Sequence, residues 1–165
     1  MTGEERRYCI DASFLIDLGV FDPDIFGGVW NFLSDLATKD IIHAPHEVLR
    51  EVLDNDNDAA AAWVKKHRGI FFDPDDVIAK KVSEVQDKYR FYDPLTAEHP
   101  SADPFLVAHG IITGCTVVHQ EKPIRPPKTK AKIPDACAYF KVRDLSLNEF
   151  FRERGVTFEA KIVSI

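Results

Sequence analysis

The stretch Tyr8-Cys9-Ile10-Asp11-Ala12-Ser13-Phe14-Leu15-Ile16-Asp17-Leu18 decides the fold. A short apolar run with strand character ends in an acid and a hydroxyl, and the residues after it switch to helical spacing. Strand, acid, helix in that order puts a carboxylate at the C-terminal end of a buried strand, the edge where open α/β sheets bind ligands. The junction lacks a glycine-rich loop to cradle a nucleotide and is better suited to holding a metal. Asp11 is also the residue type that caps helices, so both roles stand at this point.

Other acids recur in similar positions. Glu51 lies in Pro45-His46-Glu47-Val48-Leu49-Arg50-Glu51-Val52, a predicted helix after the apolar pair Ile41-Ile42. Asp103 precedes Pro104 at a favourable helix start. Glu121 follows the β-rich run Cys115 to His119, and Asp135 opens a short helix after Ile133-Pro134.

Working outward, strands alternate with helices along the whole chain. Strands are predicted at residues 7–10, 40–43 and 116–119, with an edge strand at 142–145, an extended piece at 69–72 and a last strand over 157–165. Helices are predicted at 12–18, 24–38, 45–53, 59–66, 75–89, 104–113 and 147–154, the last ending at Gly155 as helix C-caps favour. In the second, Ile25, Val29, Phe32, Leu33 and Leu36 face inward; in the helix at 75–89, Val77, Ile78, Val82 and Val85 do. A polar loop is expected from Asp93 to Ser101. Such alternation calls for an α/β fold, a mostly parallel central sheet flanked by helices on both faces. Residues 1–165 read as one domain without repeats.

The chain resembles the PIN-domain ribonucleases and is similar to the VapC toxins of prokaryotic toxin–antitoxin pairs. Ile10-Asp11-Ala12-Ser13 matches the opening Asp-x-Ser motif, and Val48-Leu49-Arg50-Glu51 the helix with the second acid. Ala102-Asp103-Pro104-Phe105-Leu106 matches the third acid's helix start, and Thr116 to Glu121 the strand leading to the fourth. The resemblance implies a three-layer PIN-like sandwich and Mg²⁺- or Mn²⁺-dependent hydrolysis of RNA phosphodiesters. It also implies a cognate antitoxin and a homodimer.

Asp11, Asp103 and a fourth acid would then bind metal, and Glu51 would bind metal or orient water; Ser13 would hydrogen-bond Asp11 or the scissile phosphate, or be an ordinary helix-start hydroxyl. The pattern departs after Val118: His119 stands where a hydroxyl is usual and Glu121 where the acid is, and an insert from Lys122 to Lys132 precedes Asp135. The fourth acid is therefore Glu121 or Asp135, or both.

Net charge is −6, yet the insert carries Lys122, Arg125, Lys128, Lys130 and Lys132 with no acid among them. Stiffened by prolines beside the acids, it suits an RNA backbone; the alternative is a solvated loop. Trp30, Trp63, Phe71 and Phe72 read as core or interface rather than base-stacking platforms. Cys9, Cys115 and Cys137 form no C-x-x-C pair and read as buried thiols, which fits a reducing cytoplasm; the six histidines lack the matched spacing of a zinc motif. No apolar run spans a bilayer, and the N-terminus has no signal-peptide core.

Two other functions compete. A haloacid-dehalogenase or receiver domain also places Asp after its first strand, but position 13 is Ser13 rather than a second Asp, and no lysine follows a later strand in the receiver manner. The stronger alternative is a non-catalytic PIN-like module that binds RNA or protein.

Overall fold

The computed structural model describes residues 7–89, 101–123 and 132–164. Five parallel strands form one sheet in the order β3-β2-β1-β4-β5, with β1 at Tyr8–Ile10, β2 at Ile42–Pro45, β3 at Phe71–Phe72, β4 at Thr116–Val118 and β5 at Asp144–Leu145. The central strand is fully buried, as a parallel sheet covered on both faces requires. In register, Cys9 lies beside His43 of β2 and Val117 of β4, and Ile10 beside Val118.

The helices are α1 (Ala12–Leu18), α2 (Gly27–Thr38), α3 (His46–Leu53), α4 (Asp58–Lys66), α5 (Asp76–Lys88), α6 (Asp103–Thr113), α7 (Ile133–Phe140) and α8 (Leu147–Glu153). Helix α6 packs on β1, β2 and β4 and is itself covered by α5 and α7. Helices α1, α3 and α4 pack against one another. Phe150 of α8 sits edge-on to Tyr8 at 4.9 Å and to Phe14 at 5.5 Å between ring centroids, joining α8, α1 and the central strand in one apolar cluster. Trp30 and Trp63 are buried, with their indole N–H groups donating to the Phe21 carbonyl and to Ser34 Oγ at 2.6 and 3.0 Å, whereas Phe71 and Phe72 are half-buried.

Several expectations need correction. Helix α2 starts at Gly27, not Asp24, because Asp22 accepts from the Asp24 amide in a local turn and Gly27-Gly28 propagates a helix poorly; Ile25 is left 76% exposed. Strand β2 starts at Ile42, not Asp40. Asp40 adopts φ of 56°, and the Ile41 amide still bonds back to Leu36, so the end of α2 claims those residues. Arg68–Ile70 wind into a 3-10 turn before β3 rather than extending. In α5, Ile78, Val82 and Val85 occupy one face and Val77 points away, 57% exposed. The last strand is not formed: residues 157–164 have no sheet pairing, and Ile162 and Val163 are exposed. The expected loop at 93–101 falls almost wholly outside the described residues.

Helix α6 packs closely at Gly110 against the turn between α7 and β5, where an added Cβ would sit 2.5 Å from Val142 Cγ1. Branched Val142 cannot swing aside as a flexible chain end would. Gly110→Ala is expected to destabilise the protein by about 1–3 kcal/mol, read as a lower urea midpoint at unchanged m.

Candidate active site

Asp11 caps α1 from the end of β1, and its amide donates to the Val118 carbonyl at 2.9 Å, which anchors it between β1 and β4. Its Oδ2 accepts from the Ser13 amide at 3.2 Å and from the Ser13 hydroxyl, so both the cap and the hydroxyl readings of this junction hold. Ser13 Oγ in turn accepts from the Gln120 amide at 3.0 Å, tying the ends of the two strands. The other oxygen, Oδ1, is buried with no hydrogen-bond partner. An orphaned carboxylate oxygen costs stability unless another ligand satisfies it.

Glu51, on the last turn of α3, accepts from the Ala102 amide at 2.9 Å and so holds the start of α6. Asp103 is the first residue of that helix, followed by Pro104, as the sequence predicts. Glu121 lies just beyond β4; its Oε2 accepts from the Ile133 amide at 2.9 Å, at the start of α7, and its Oε1 is 3.4 Å from Lys132 Nζ.

These four acids lie close enough for their charges to act on one another. Burial raises the Asp11 carboxyl above its ordinary value, Ser13 opposes the rise, and Glu121 adds to it. Burial pushes Glu51 up to about 7, with Asp11, Glu121 and Glu47 contributing repulsion against the Ala102 hydrogen bond. Asp103 is raised well above the usual range by burial and by Asp11, Glu121 and Glu51, with Lys132 opposing. Like charges gathered in a desolvated pocket hold protons that a cation would displace. Asp135 lies on the first turn of α7, half-buried, and is not among the groups acting most strongly on the other acids.

Residues 8–158 match the family model described as a domain of unknown function, DUF4411. The chain belongs to the DUF4411 family. No curated protein matches its sequence. Among solved structures, PAE2754 from Pyrobaculum aerophilum superposes with a TM-score of 0.54 at 15% identity, covering 91% of this chain and 97% of that one. VapBC2 from Rickettsia felis, bound to a DNA fragment from their promoter, reaches a TM-score of 0.49 at 13% identity over 84% of this chain and 97% of that one. The fold of this DUF4411 chain is a three-layer α/β sandwich like that of PAE2754.

Of the cations expected beside the acids, Lys132 contacts Glu121 and Lys122 is exposed; Arg125, Lys128 and Lys130 lie outside the described residues. Sequence reasoning missed how the DUF4411 chain braces the loop after β4. The Gln120 side chain donates to Asp17 at 3.2 Å and accepts from the Leu147 amide at 2.8 Å, linking α1 to α8. His119 accepts from the Glu121 amide through Nδ1 at 3.1 Å, leaving Nε2 to donate to Asp144 at 2.9 Å. Glu47, buried one turn before Glu51, adds negative charge behind the cluster. These residues follow strand ends or share a helix with a predicted acid, a signal too common to single them out in the sequence.

Proposed function

We propose that the protein is a Mg²⁺- or Mn²⁺-dependent endoribonuclease and the toxin of a type II toxin–antitoxin pair, acting on RNA in the cytoplasm. The observation that carries the catalytic part is the convergence of Asp11, Glu51, Asp103 and Glu121 on one end of the sheet, with Asp11 Oδ1 buried and unpartnered. An all-oxygen donor set of this kind fits a hard divalent cation better than a soft one. Bound there, the cation would supply charge stabilisation at the phosphodiester and acidify water for its hydrolysis.

The chain's own groups then divide the work. Asp11, Asp103 and Glu121 hold the cation; Glu121 Oε1 is the freer oxygen, since 3.4 Å from Lys132 is long for a hydrogen bond. Glu51, with a carboxyl raised to about 7, holds the cation or takes a proton from water near neutrality. Ser13 keeps Asp11 in one rotamer. Asp135 is an additional acid of the site, at a helix start whose dipole favours a carboxylate even without metal. Lys122, Arg125, Lys128, Lys130 and Lys132 take the RNA backbone. The antitoxin and the homodimer belong to this reading through the resemblance alone.

The test is cleavage of labelled single-stranded RNA. Internal cleavage should appear with Mn²⁺ or Mg²⁺ and vanish with chelator. Glu121→Gln should lose metal affinity and cleavage together, while Asp135→Asn keeps cleavage if that carboxylate serves only the helix, at a stability cost under about 2 kcal/mol. Metal-independent binding of RNA without cleavage would establish the non-catalytic module instead.

A further inference from the structure

We propose that Cys9, His43, His109 and Cys115 form a second metal site, chemically distinct from the acidic one, that takes a borderline-soft divalent cation, zinc above all. One ligand atom from each of the four lies within 4.8 Å of all the others. Two thiols and two imidazoles are a common donor set of tetrahedral structural zinc, whereas oxygen-preferring Mg²⁺ and Mn²⁺ have little affinity for it.

The fold assembles the four by simple geometry. Cys9 and His43 are register partners on β1 and β2, so their side chains stand together on one face of the sheet. Cys9 also pairs with Val117, and Cys115, two residues before Val117, returns to that face. His109 comes down from α6, which packs on the same strands. Gly114, in the left-handed conformation with φ of 73°, ends α6 and turns the chain back so that Cys115 follows at once; the Cys115 amide bonds to Thr113 Oγ1 at 3.3 Å.

The imidazoles are already poised. His43 Nε2 and His109 Nε2 are 2.7 Å apart, with ring centroids 4.7 Å apart, and Phe72 stacks on His109 at 4.4 Å. His109 is 8% exposed, and its Nδ1 is buried with no hydrogen-bond partner. Cys9 and Cys115 are buried free thiols. Tetrahedral zinc, with bonds of about 2.0–2.3 Å, separates its ligand atoms by about 3.3–3.8 Å, so the four need side-chain adjustments of about 1 Å or less. A cleft of about 810 Å³, lined in part by His43, His109 and Cys115, gives a route in from solvent. Binding would release the thiol protons to water. The bound ion would cross-link β1, β2 and the start of β4 to α6, two of which, β1 and α6, lead directly to Asp11 and Asp103.

The experiment uses the full chain, purified without a metal-binding tag, and reads metal content, Co²⁺ spectra and thiol mass. Wild type should carry about one equivalent of zinc. Co²⁺ loaded in excess Mg²⁺, which occupies oxygen-donor sites, should show the visible bands of a tetrahedral ion and a thiolate charge-transfer band. Cys115→Ser and His109→Asn should each lose the zinc and alter or abolish those bands, and Asp103→Asn should keep both. Wild type with neither zinc nor thiolate–cobalt bands overturns the proposal, as does a Cys9–Cys115 disulfide in the freshly purified protein or bands unchanged in both ligand variants. If a variant fails to fold, the wild-type spectrum decides.

Discussion

Asp103→Asn is expected to lower Mn²⁺ affinity and RNA cleavage at limiting metal by at least about a hundredfold, while leaving the metal-free protein as stable as wild type or more so. Burial and three acids, Asp11, Glu121 and Glu51, raise the folded-state pKa of the Asp103 carboxyl well above 3.8. A carboxyl raised in this way costs folding free energy at any pH above its unfolded value, because the native state must either hold a proton or bear a repelled charge. The amide removes that cost and keeps the shape. Its advantage is absent in strong acid and grows as pH rises above about 3.8. Metal reverses the order: at about a hundred times its Kd, Mn²⁺ should add about 2.7 kcal/mol to wild type and far less to the variant. Thermal unfolding with and without Mn²⁺ reads both effects. A strongly destabilised metal-free variant would mean that Asp103 serves α6 as a structural cap.

The second large effect is a pH dependence of opposite sign with and without metal. Burial first, and then neighbouring acids, hold the Glu51 carboxyl at about 7 against an ordinary 4.5, so between those values the native state binds more protons than the unfolded chain. Stability of the metal-free protein must therefore fall as pH rises through that window, the Glu51 contribution being complete above about 7, with Asp11 and Asp103, raised in the same direction, deepening the fall. Metal binding expels those protons. Mn²⁺ affinity should consequently rise about tenfold per pH unit for each proton displaced, until the carboxyls are ionised. Calorimetric titration across that range checks it, and Glu51→Gln should flatten both curves. A metal affinity independent of pH would remove Glu51 from the site.

Local chemistry was legible in the sequence. The Asp11 cap and the span Ala12–Leu18 appear as read, as do Asp103-Pro104 at the start of α6 and Gly155 just past α8, because each depends on residues within a turn of one another. The parallel sheet followed from alternation, and the places of Asp11, Asp103 and Glu121 from strand ends and helix starts. Where a neighbour in space competes, the reading failed: the end of α2 took Asp40 and Ile41 from β2, and residues 157–164 had strand-like pattern but no strand to pair with.

The sequence by itself determined that Asp11, Asp103 and Glu121 stand at strand ends or helix starts, since a strand followed by a helix places its junction whatever the rest of the chain does. Only the tertiary structure decided what those acids feel: Glu121 bonded to the start of α7, Glu51 to the start of α6, and the burial and repulsion that raise Asp103. It alone also brought Cys9, His43, His109 and Cys115 together. Spacings of that kind carry no motif, because the proximity comes from strand register and from the helix laid across the sheet, and neither is a property of nearby residues.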